Sequence, residues 1–386
     1  MSDTLTRLLR CAPAPVERVV DAYRERAEAI KDETAGADFR TQWRTLAGLG
    51  VLRRAGDGPE GPGPVTRGLA AIEGIGLAGI DPGLCYALTS QLFGMQHPLH
   101  TALTKPDRDL TDSVEEGRTL LCHALTERSG GSDPLSMASR AERDGDGWVL
   151  TGAKAFITAA PVADLAVVFA RTAAGRTPFS LTAFLVPLDA PGVSRGETFD
   201  KTALSTAPMG ELLFDGARLP ASAVIGQEGS GLGVMAATTA WERALVLGYA
   251  LGPMRSLLDR TVRWAREREH FGRRMGASHQ VAARISDMAL ALHRSRLQLY
   301  ALAAVLDGGT TARQLAAEAA LTKISVSEDY VRMTEHATAL AGVRAFLPDT
   351  GLTADPLSPL AALTYAGPND LLRTGVARML GLPVEN

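Results

Sequence analysis

The sequence predicts a mainly α-helical protein with a small β-domain in the middle of the chain. Three observations support this fold class: helical apolar patterns fill the first 118 residues, short apolar runs between turn residues follow, and long helical patterns resume after residue 226. This order predicts an N-terminal helical domain (1–118), a middle β-domain (119–226) and a C-terminal helical bundle (227–386). A chain of 386 residues is long enough for such a division.

The N-terminal domain is predicted from apolar residues at helical spacing. Between residues 15 and 32 the apolar positions share one helix face, with charged residues between them (Val16, Val19, Val20, Tyr23, Ala27 and Ile30). The Gly- and Pro-rich segment 58–64 predicts a loop, and further helical patterns cover residues 65–78 and 84–102.

The β-domain is predicted from short apolar runs of strand length. They cover residues 120–125, 148–150, 155–158, 165–170, 181–186 and 211–214, and turn residues at 143–147, at Gly152 and at 189–192 separate them. Beyond residues 220–226, helices are predicted at 233–267, 280–307 and 311–341. A final helix is expected from Asn369, its predicted N-cap, to Leu380.

Composition and charge exclude several classes of partner. A net charge of −3 does not favour nucleic acid, because phosphate binding needs clustered Lys and Arg. No apolar stretch reaches the ~20 residues of a membrane span, and residues 1–10 lack the apolar core of a signal peptide. The three cysteines (Cys11, Cys85 and Cys122) fit neither a disulfide framework nor a metal site. A cytoplasmic protein without a metal or membrane contact is expected.

Two short motifs in the β-domain are candidates for one binding site. The first is Thr126-Glu127-Arg128-Ser129-Gly130-Gly131-Ser132-Asp133, and the second is Phe156-Ile157-Thr158 on a later strand. Backbone amides and small hydroxyls can meet the polar edge of an isoalloxazine ring without blocking its face. Taken alone, the first motif is typical of a Gly-Ser turn and the second of an ordinary strand. Both in this order favour a flavin.

This pair of motifs resembles the acyl-CoA dehydrogenase superfamily, and the match spans nearly the whole chain. The resemblance implies FAD as cofactor and a small β-barrel between an N-terminal helical domain and a C-terminal four-helix bundle. It implies these contacts with the flavin and its phosphates: Leu125, Thr126, Gly131, Ser132, Phe156, Ile157 and Thr158. Thr158 would bond near the reactive N5 atom. His123 either lies near the pyrimidine side of the flavin or is a hydrogen-bonded strand histidine.

A third motif concerns the other end of the cofactor. Arg268 and Phe271 resemble the family's arginine–x–x–phenylalanine–glycine segment, and Gln280 follows one residue later than usual. In relatives this segment reaches FAD bound to a neighbouring subunit, where Arg268 could pair with a pyrophosphate oxygen. Of the family's glutamine and paired glycines, only Gly342 remains. If the segment has this role, the resemblance implies a homodimer or homotetramer. The alternative is that the segment is a solvated, charged helix end without a cofactor contact.

The turn that normally carries the catalytic base lacks it. Residues 363–370 resemble the family's tyrosine–glutamate–glycine–threonine turn, but Ala366 replaces the glutamate. In the family the backbone N–H at this position contributes to the oxyanion hole, and alanine retains it. Ala366 is therefore expected to act through its N–H.

Glu242 is the candidate for the missing base. The helix around it is apolar nearly all round, so its carboxylate is expected to be buried, with Arg243 pointing elsewhere. A glutamate before an arginine on this helix resembles the base of isovaleryl- and long-chain acyl-CoA dehydrogenases. The alternatives are a structural Glu242, bonded to an arginine or capping a cofactor group, and Asp370 as a reserve base.

The resemblance implies an FAD-dependent dehydrogenase that desaturates an acyl thioester. A base removes the α-proton, hydrogen-bond donors stabilise the thioester oxygen, and flavin N5 accepts the β-hydride. The acyl carrier is CoA or an acyl carrier protein of specialised biosynthesis, with a lean towards the carrier protein. A basic patch for it could come from Arg263, Arg266, Arg273 and Arg274. An electron-transfer flavoprotein is the family's usual acceptor.

Other segments are candidates for either the substrate site or the core. They are residues 207–211 and 218–220 of the β-domain and, on the Glu242 helix, Ala237, Ala240, Leu245 and Tyr249. Two further functions stay open: a flavin-dependent monooxygenase or oxidase on the same fold, and a flavin-binding partner without turnover.

Overall fold

The predicted fold class is confirmed by a computed structural model, which describes residues 3–56, 58, 61–102, 108–131, 133–347, 352 and 355–384. Helices precede and follow one central sheet. None of the helices in these ranges combines the length and apolar character that crossing a membrane requires.

The N-terminal helices pack as a layer against the C-terminal bundle. Their bounds are α1 (Asp3–Leu9), α2 (Ala14–Thr34), α3 (Phe39–Gly48), α4 (Pro64–Leu77), α5 (Pro82–Thr89), α6 (His97–Ala102) and α7 (Arg108–Glu115). The helix predicted at 84–102 contains a π-helical segment, Ser90–Gln96, between α5 and α6. Such segments are rare and occur frequently at functional sites.

The middle of the chain forms one eight-stranded sheet. Its strands are β1 (Leu121–Ala124), β2 (Arg140–Asp144), β3 (Gly147–Thr158), β4 (Leu165–Arg171), β5 (Leu181–Pro187), β6 (Val193–Thr198), β7 (Met209–Leu219) and β8 (Val224–Ile225). The pairing order is β6-β7-β3-β2-β4-β5-β8, and β1 joins β4 in parallel. The terminal strands β6 and β8 are not paired with each other in the described ranges, so hydrogen bonding does not close the expected barrel.

One predicted turn was wrong. Gly152 lies inside the continuous strand β3, where its φ of 141° and a register shift against β7 form an irregularity. A Cβ atom at Gly152 would come within 2.5 Å of Ser139 Oγ, so the close approach of Ser139 requires glycine. β2 and β6 were not predicted, because their mostly exposed residues form no apolar run.

The C-terminal part is a bundle of four long helices with two shorter ones against it. The bounds are α8 (Gly231–Leu245), α9 (Gly248–Glu267), α10 (His279–Asp307), α11 (Ala316–Ala341), α12 (Leu357–Ala361) and α13 (Asn369–Met379); β9 (Glu269–His270) and β10 (Arg273–Arg274) form a small hairpin after α9. The helix predicted at 233–267 is thus two helices, α8 and α9, and α11 begins later than the predicted residue 311.

Asn369 is not the N-cap of α13. Pro368 holds that position, and Asn369 is the first helical residue. The prediction failed because the Asn369 carboxamide is used elsewhere: it accepts a hydrogen bond from Lys323 Nζ at 2.8 Å and donates to Ser327 Oγ at 3.0 Å, both on α11.

A buried charge cluster ties the N-terminal helices to the bundle. Glu73 on α4 accepts hydrogen bonds from Arg255 on α9 (2.8 Å) and from Tyr300 on α10 (2.6 Å). Arg296 on α10 lies 2.9 Å from Glu73 and donates to Glu17 on α2 at 2.8 Å. Burial acts to raise the pKa of Glu73, but Arg296, Arg255 and Tyr300 outweigh it and hold the pKa below its usual range.

Candidate functional site

A cavity of about 1060 Å³ lies between the β-domain, α5, α8 and the C-terminal turn. Residues of both sequence motifs and both candidate catalytic residues line this cavity. Seven of the predicted flavin-contacting residues line it: His123, Leu125, Thr126, Gly131, Phe156, Ile157 and Thr158. Ser132 lies outside the described residues. Glu242 and Ala366 line the same cavity.

The loop that carries the first motif is held by a buried ion pair. Lys154 Nζ on β3 lies 2.9 Å from Glu127 Oε1 and also donates to the carbonyl oxygen of Leu125 at 3.1 Å. Glu127 accepts further hydrogen bonds from Ser139 and Ala138. Burial acts to raise the pKa of Glu127, but Lys154 and these donors bring it down to about 2. Glu127 therefore stays ionised, and its contacts with Lys154, Ser139 and Ala138 fix the loop.

Neither partner of this pair was among the predicted site residues. Glu127 stands within the first quoted motif and Lys154 two residues before the second, and a lysine inside an otherwise apolar strand was a signal for a buried partner. Beside them, a Cβ at Gly131 would come within 2.9 Å of Thr126 Oγ1, so glycine allows the loop to fold tightly against Thr126.

Three residues of the cavity wall other than glycine have a left-handed backbone. Phe156 has a φ of 60°, Ala159 a φ of 65° and Ala366 a φ of 52°. For residues other than glycine this conformation costs about 1–2 kcal/mol and clusters at functional sites. The Phe156 ring is 48% exposed and stacks on Phe199 at 5.1 Å, so one aromatic face remains open towards the cavity.

His123 is a hydrogen-bonded strand histidine that also lines the cavity, and its position beside a flavin stays a prediction. It lines the cavity from β1, and its Nε2 atom lies 3.0 Å from Thr238 Oγ1 on α8. Burial and the nearby charge of Lys154 lower the pKa of His123 to about 4. The imidazole is therefore neutral at physiological pH.

The residues predicted to contact the far end of FAD do not join this cavity within one chain. Arg268, Phe271, Gln280 and Gly342 are exposed, and Phe271 is exposed to 90%. None of them is among the described residues that line the cavity. Their role towards a neighbouring subunit stays a prediction.

Glu242 projects from α8 towards α5 and the π-helical segment. A Cβ at Gly94 would lie 3.7 Å from Glu242 Cγ, which shows how closely this segment packs against the carboxylate side chain. No ion pair or hydrogen bond joins the Glu242 side chain to any residue in the described ranges. Burial raises the pKa of Glu242 to about 6, although Arg243 and Lys323 act in the opposite direction.

Arg243 does not point away from the site as predicted. It lines the cavity, and its Nε atom donates to the carbonyl oxygen of Ala366 at 2.9 Å. Lys323 holds the next residue, because its Nζ donates to the carbonyl oxygen of Gly367 at 2.9 Å. Two cations thus anchor the turn through its carbonyl oxygens. The N–H of Ala366 donates to no acceptor in the part of the chain that the structure describes.

Asp370 is excluded as the base by its position. Its side chain is 99% exposed and lies 3.6 Å from Arg373 on the same helix. It is not among the residues that line the cavity.

The other substrate candidates divide between cavity and core. Met209 and Ala240 line the cavity, whereas Leu245 and Tyr249 are fully buried core residues. Arg218 is exposed and pairs with Asp144.

The four arginines of the predicted basic patch are exposed but do not line the cavity (Arg263, Arg266, Arg273 and Arg274). Arg313 and Arg378, which no motif marked, do line it.

Comparison with known proteins identifies the family. Residues 122–217 match the acyl-CoA dehydrogenase middle domain, and residues 229–381 match the acyl-CoA dehydrogenase C-terminal domain. The chain is 32% identical over 312 residues to an L-prolyl-[peptidyl-carrier protein] dehydrogenase of a Serratia species, which covers 81% of this chain and 80% of that protein.

Solved structures agree with this assignment. The FAD complex of PigA superposes with a TM-score of 0.84 at 28% identity, covering 100% of this chain and 99% of PigA. The prolyl acyl carrier protein oxidase AnaB superposes with a TM-score of 0.85 at 25% identity, covering 96% of this chain and 100% of AnaB. The chain is a member of the acyl-CoA dehydrogenase family of oxidoreductases.

Proposed function

We propose that this protein is an FAD-dependent dehydrogenase that desaturates an acyl thioester carried by a carrier protein, with Glu242 as the base. The observation that carries the proposal is the placement of Glu242. Its carboxylate shares one cavity with Thr158 and Ala366, has no other partner among the described residues, and has a pKa raised to about 6. The carrier-protein substrate is supported by the names of the Serratia relative and of AnaB.

The cavity fits the isoalloxazine part of FAD. The loop Leu125–Gly131, fixed by the Glu127–Lys154 pair, offers backbone amides and a hydroxyl, and Phe156 offers an open aromatic face. Thr158 would hold the edge near N5. When bound, FAD supplies the acceptor for the hydride that leaves the β-carbon.

The chain's own residues divide the remaining work. Glu242 takes the α-proton, and a carboxylate in an apolar enclosure is a stronger base than one in water. The unpartnered N–H of Ala366 stabilises the negative charge that develops on the thioester oxygen. Arg243 and Lys323 hold the carbonyl oxygens of the turn, so that this N–H keeps its direction.

Anaerobic flavin bleaching tests the proposal. The FAD-loaded protein is mixed with L-prolyl and short acyl groups, each presented on a peptidyl carrier protein and on CoA. We expect bleaching with at least one carrier-protein thioester and slower bleaching with its CoA counterpart. Faster bleaching with CoA would contradict the carrier, and no bleaching with any thioester would contradict the dehydrogenase itself.

The rate of bleaching is expected to rise with pH around the pKa of Glu242. Because the carboxylate must be deprotonated to accept the α-proton, the rate should be low below about pH 6 and level off above it. The measurement is the single-turnover bleaching rate between pH 5 and pH 8 in buffers of constant ionic strength. A rate that is flat over this range would remove Glu242 as the titrating group.

Replacement of Lys154 with methionine is expected to weaken FAD binding. The substitution leaves Glu127 buried without its cation, which costs about 3–5 kcal/mol when one partner of a buried pair is removed. The loop Leu125–Gly131 should loosen, so flavin content after purification should fall and the FAD dissociation constant should rise. Arg140→Met, at an exposed position on neighbouring β2, is the control. Equal flavin affinity in both variants would contradict this role of Lys154.

Oxygen is a second candidate for the electron acceptor, because AnaB is an oxidase by name. Reoxidation of the bleached protein distinguishes the two cases. Rapid reoxidation in air-saturated buffer with formation of hydrogen peroxide would indicate an oxidase. Slow reoxidation in air, accelerated by an electron-transfer flavoprotein, would indicate a dehydrogenase.

A further inference from the structure

One face of α13 lines the cavity from the first turn of the helix to the last. The lining positions are Leu371, Thr374, Gly375 and Arg378, and they recur at helical spacing. The helix follows directly on the turn that carries Ala366. The cavity therefore continues from the candidate reaction site as a groove along this helix, which we call the α13 groove. No sequence motif marked it.

The neighbouring helix α11 runs antiparallel to α13. Lys323 on α11 meets Asn369 at the start of α13, where Nζ lies 2.8 Å from the carboxamide oxygen. Ala320, one turn earlier on α11, packs in one cluster with Leu372 and Val376, which lie one and two turns later on α13. The start of α11 therefore lies beside the end of α13.

Two arginines stand at the far end of the α13 groove. Ala316, the first residue of α11, lines the cavity, and so does Arg313, one turn before it. Because the helices are antiparallel, Arg313 lies at the same end as Arg378. The Nε atom of Arg378 donates to the carbonyl oxygen of Val384 at 3.3 Å, which holds its side chain at this end. Between these arginines and the pair Glu242–Arg243, no charged residue of the described ranges lines the cavity.

The length of the groove fits the arm that carries an acyl thioester. From Asn369 to Arg378 the helix rises by about 14 Å. A phosphopantetheine arm has about 13 bonds between its sulfur and its phosphorus, and an extended chain of this kind spans about 15 Å. The arm itself is uncharged up to the phosphate, like the walls of the groove. With the thioester at the turn, the phosphate reaches the end where the two arginines lie.

We propose that Arg313 and Arg378 bind the phosphate group of the phosphopantetheine arm that presents the acyl thioester to Glu242. The inference rests on the proposed function, because the groove starts where that function places the thioester. CoA and carrier proteins both attach the arm through this phosphate, so the assignment holds for either carrier. Guanidinium groups suit phosphate oxygens in charge, planarity and spacing, and such charge-assisted hydrogen bonds are about twice as strong as neutral ones.

The test compares one acyl group on two arms that differ only in the phosphate. They are the thioesters of pantetheine and of 4′-phosphopantetheine. For wild type we expect kcat/KM to favour the phosphorylated arm about 10- to 100-fold. Arg378→Met should reduce this preference about tenfold, Arg378→Lys should reduce it less, and the double variant Arg313→Met/Arg378→Met should abolish it.

Arg373→Met is the matched control for these variants. Arg373 lies on the same helix, is exposed beside Glu328 and does not line the cavity. This variant should keep the wild-type preference for the phosphorylated arm. A wild type without that preference would overturn the inference, as would a preference that survives in the double variant.

Binding of arms without an acyl group separates this inference from the proposed reaction. The S-methyl ethers of pantetheine and of 4′-phosphopantetheine have no acyl carbons to oxidise, and titration calorimetry with the FAD-loaded protein gives their Kd. We expect the phosphorylated ether to bind at least about tenfold more tightly, and the double variant to bind both equally. This outcome together with no bleaching by any thioester would support the phosphate site and contradict the dehydrogenase. Loss of FAD from the double variant would assign the groove to the cofactor and overturn the inference.

Discussion

Replacement of Glu242 with glutamine is expected to leave the flavin oxidised on mixing with a thioester that bleaches the wild-type protein. Glutamine keeps the size of the side chain but cannot accept the α-proton. Loss of a positioned general base typically lowers a rate by about 100- to 10,000-fold. The measurement is anaerobic stopped-flow bleaching at saturating substrate. The flavin content and the visible spectrum of the variant should be unchanged, since Glu242 makes no hydrogen bond with the described residues.

Asp370→Asn is the matched control for this experiment. Asp370 was the other carboxylate considered as a base, and its side chain is exposed outside the cavity. Its amide variant should bleach within about twofold of wild type, as expected for a surface substitution. Loss of bleaching in Asp370→Asn, or retention of it in Glu242→Gln, would contradict the assignment of the base.

Replacement of Glu73 with alanine is expected to give the largest loss of stability. Glu73 is fully buried. It forms ion pairs with Arg255 and Arg296 and accepts a hydrogen bond from Tyr300. Removing it leaves two buried guanidinium groups for which Glu17 is the one remaining ion-pair partner among the described residues. Breaking a buried pair from one side costs about 3–5 kcal/mol in the free energy of unfolding. Urea unfolding followed by circular dichroism measures the change.

An exposed ion pair provides the comparison. Glu28→Ala on α2 breaks a pair with Arg24 that spans 3.8 Å at the surface. Such pairs contribute about 0–1 kcal/mol, so the urea midpoint should hardly move. Because the cluster joins α2 and α4 to α9 and α10, Glu73→Ala should also reduce the cooperativity of unfolding. A single transition at the wild-type midpoint would contradict the role given to the cluster.

The fold was predictable wherever a periodic pattern was long. The helix predicted at 280–307 is α10, His279–Asp307, because apolar positions recur along its whole length. The break between α8 and α9 was hidden, since the residues around it, from Ala244 to Leu251, are all buried and show no period. β2 escaped prediction for the opposite reason: its charged residues face solvent in the middle of a sheet.

The candidate site was predictable only where a motif carries it. The loop Leu125–Gly131 and the strand with Thr158 line the cavity together, as their order along the chain implied. Tyr86 and Lys323 have no motif, and they reach the site only because helices distant in sequence pack together. Arg243 shows a limit of arguments from helical geometry. The side chains of Glu242 and Arg243 leave the helix in different directions, but the long arginine side chain turns back towards the same cavity.

The methyl group of Ala366 has a consequence for the balance of charge around the substrate. A glutamate at this position would project into the cavity that already contains Glu242. Two carboxylates facing one enclosed space repel each other, and this repulsion raises the pKa of one of them, which then keeps its proton more readily. With alanine in the turn, Glu242 is the single negative charge among the described residues of the cavity wall. The missing carboxylate is then the condition that lets the remaining one ionise near pH 6 and act as a base.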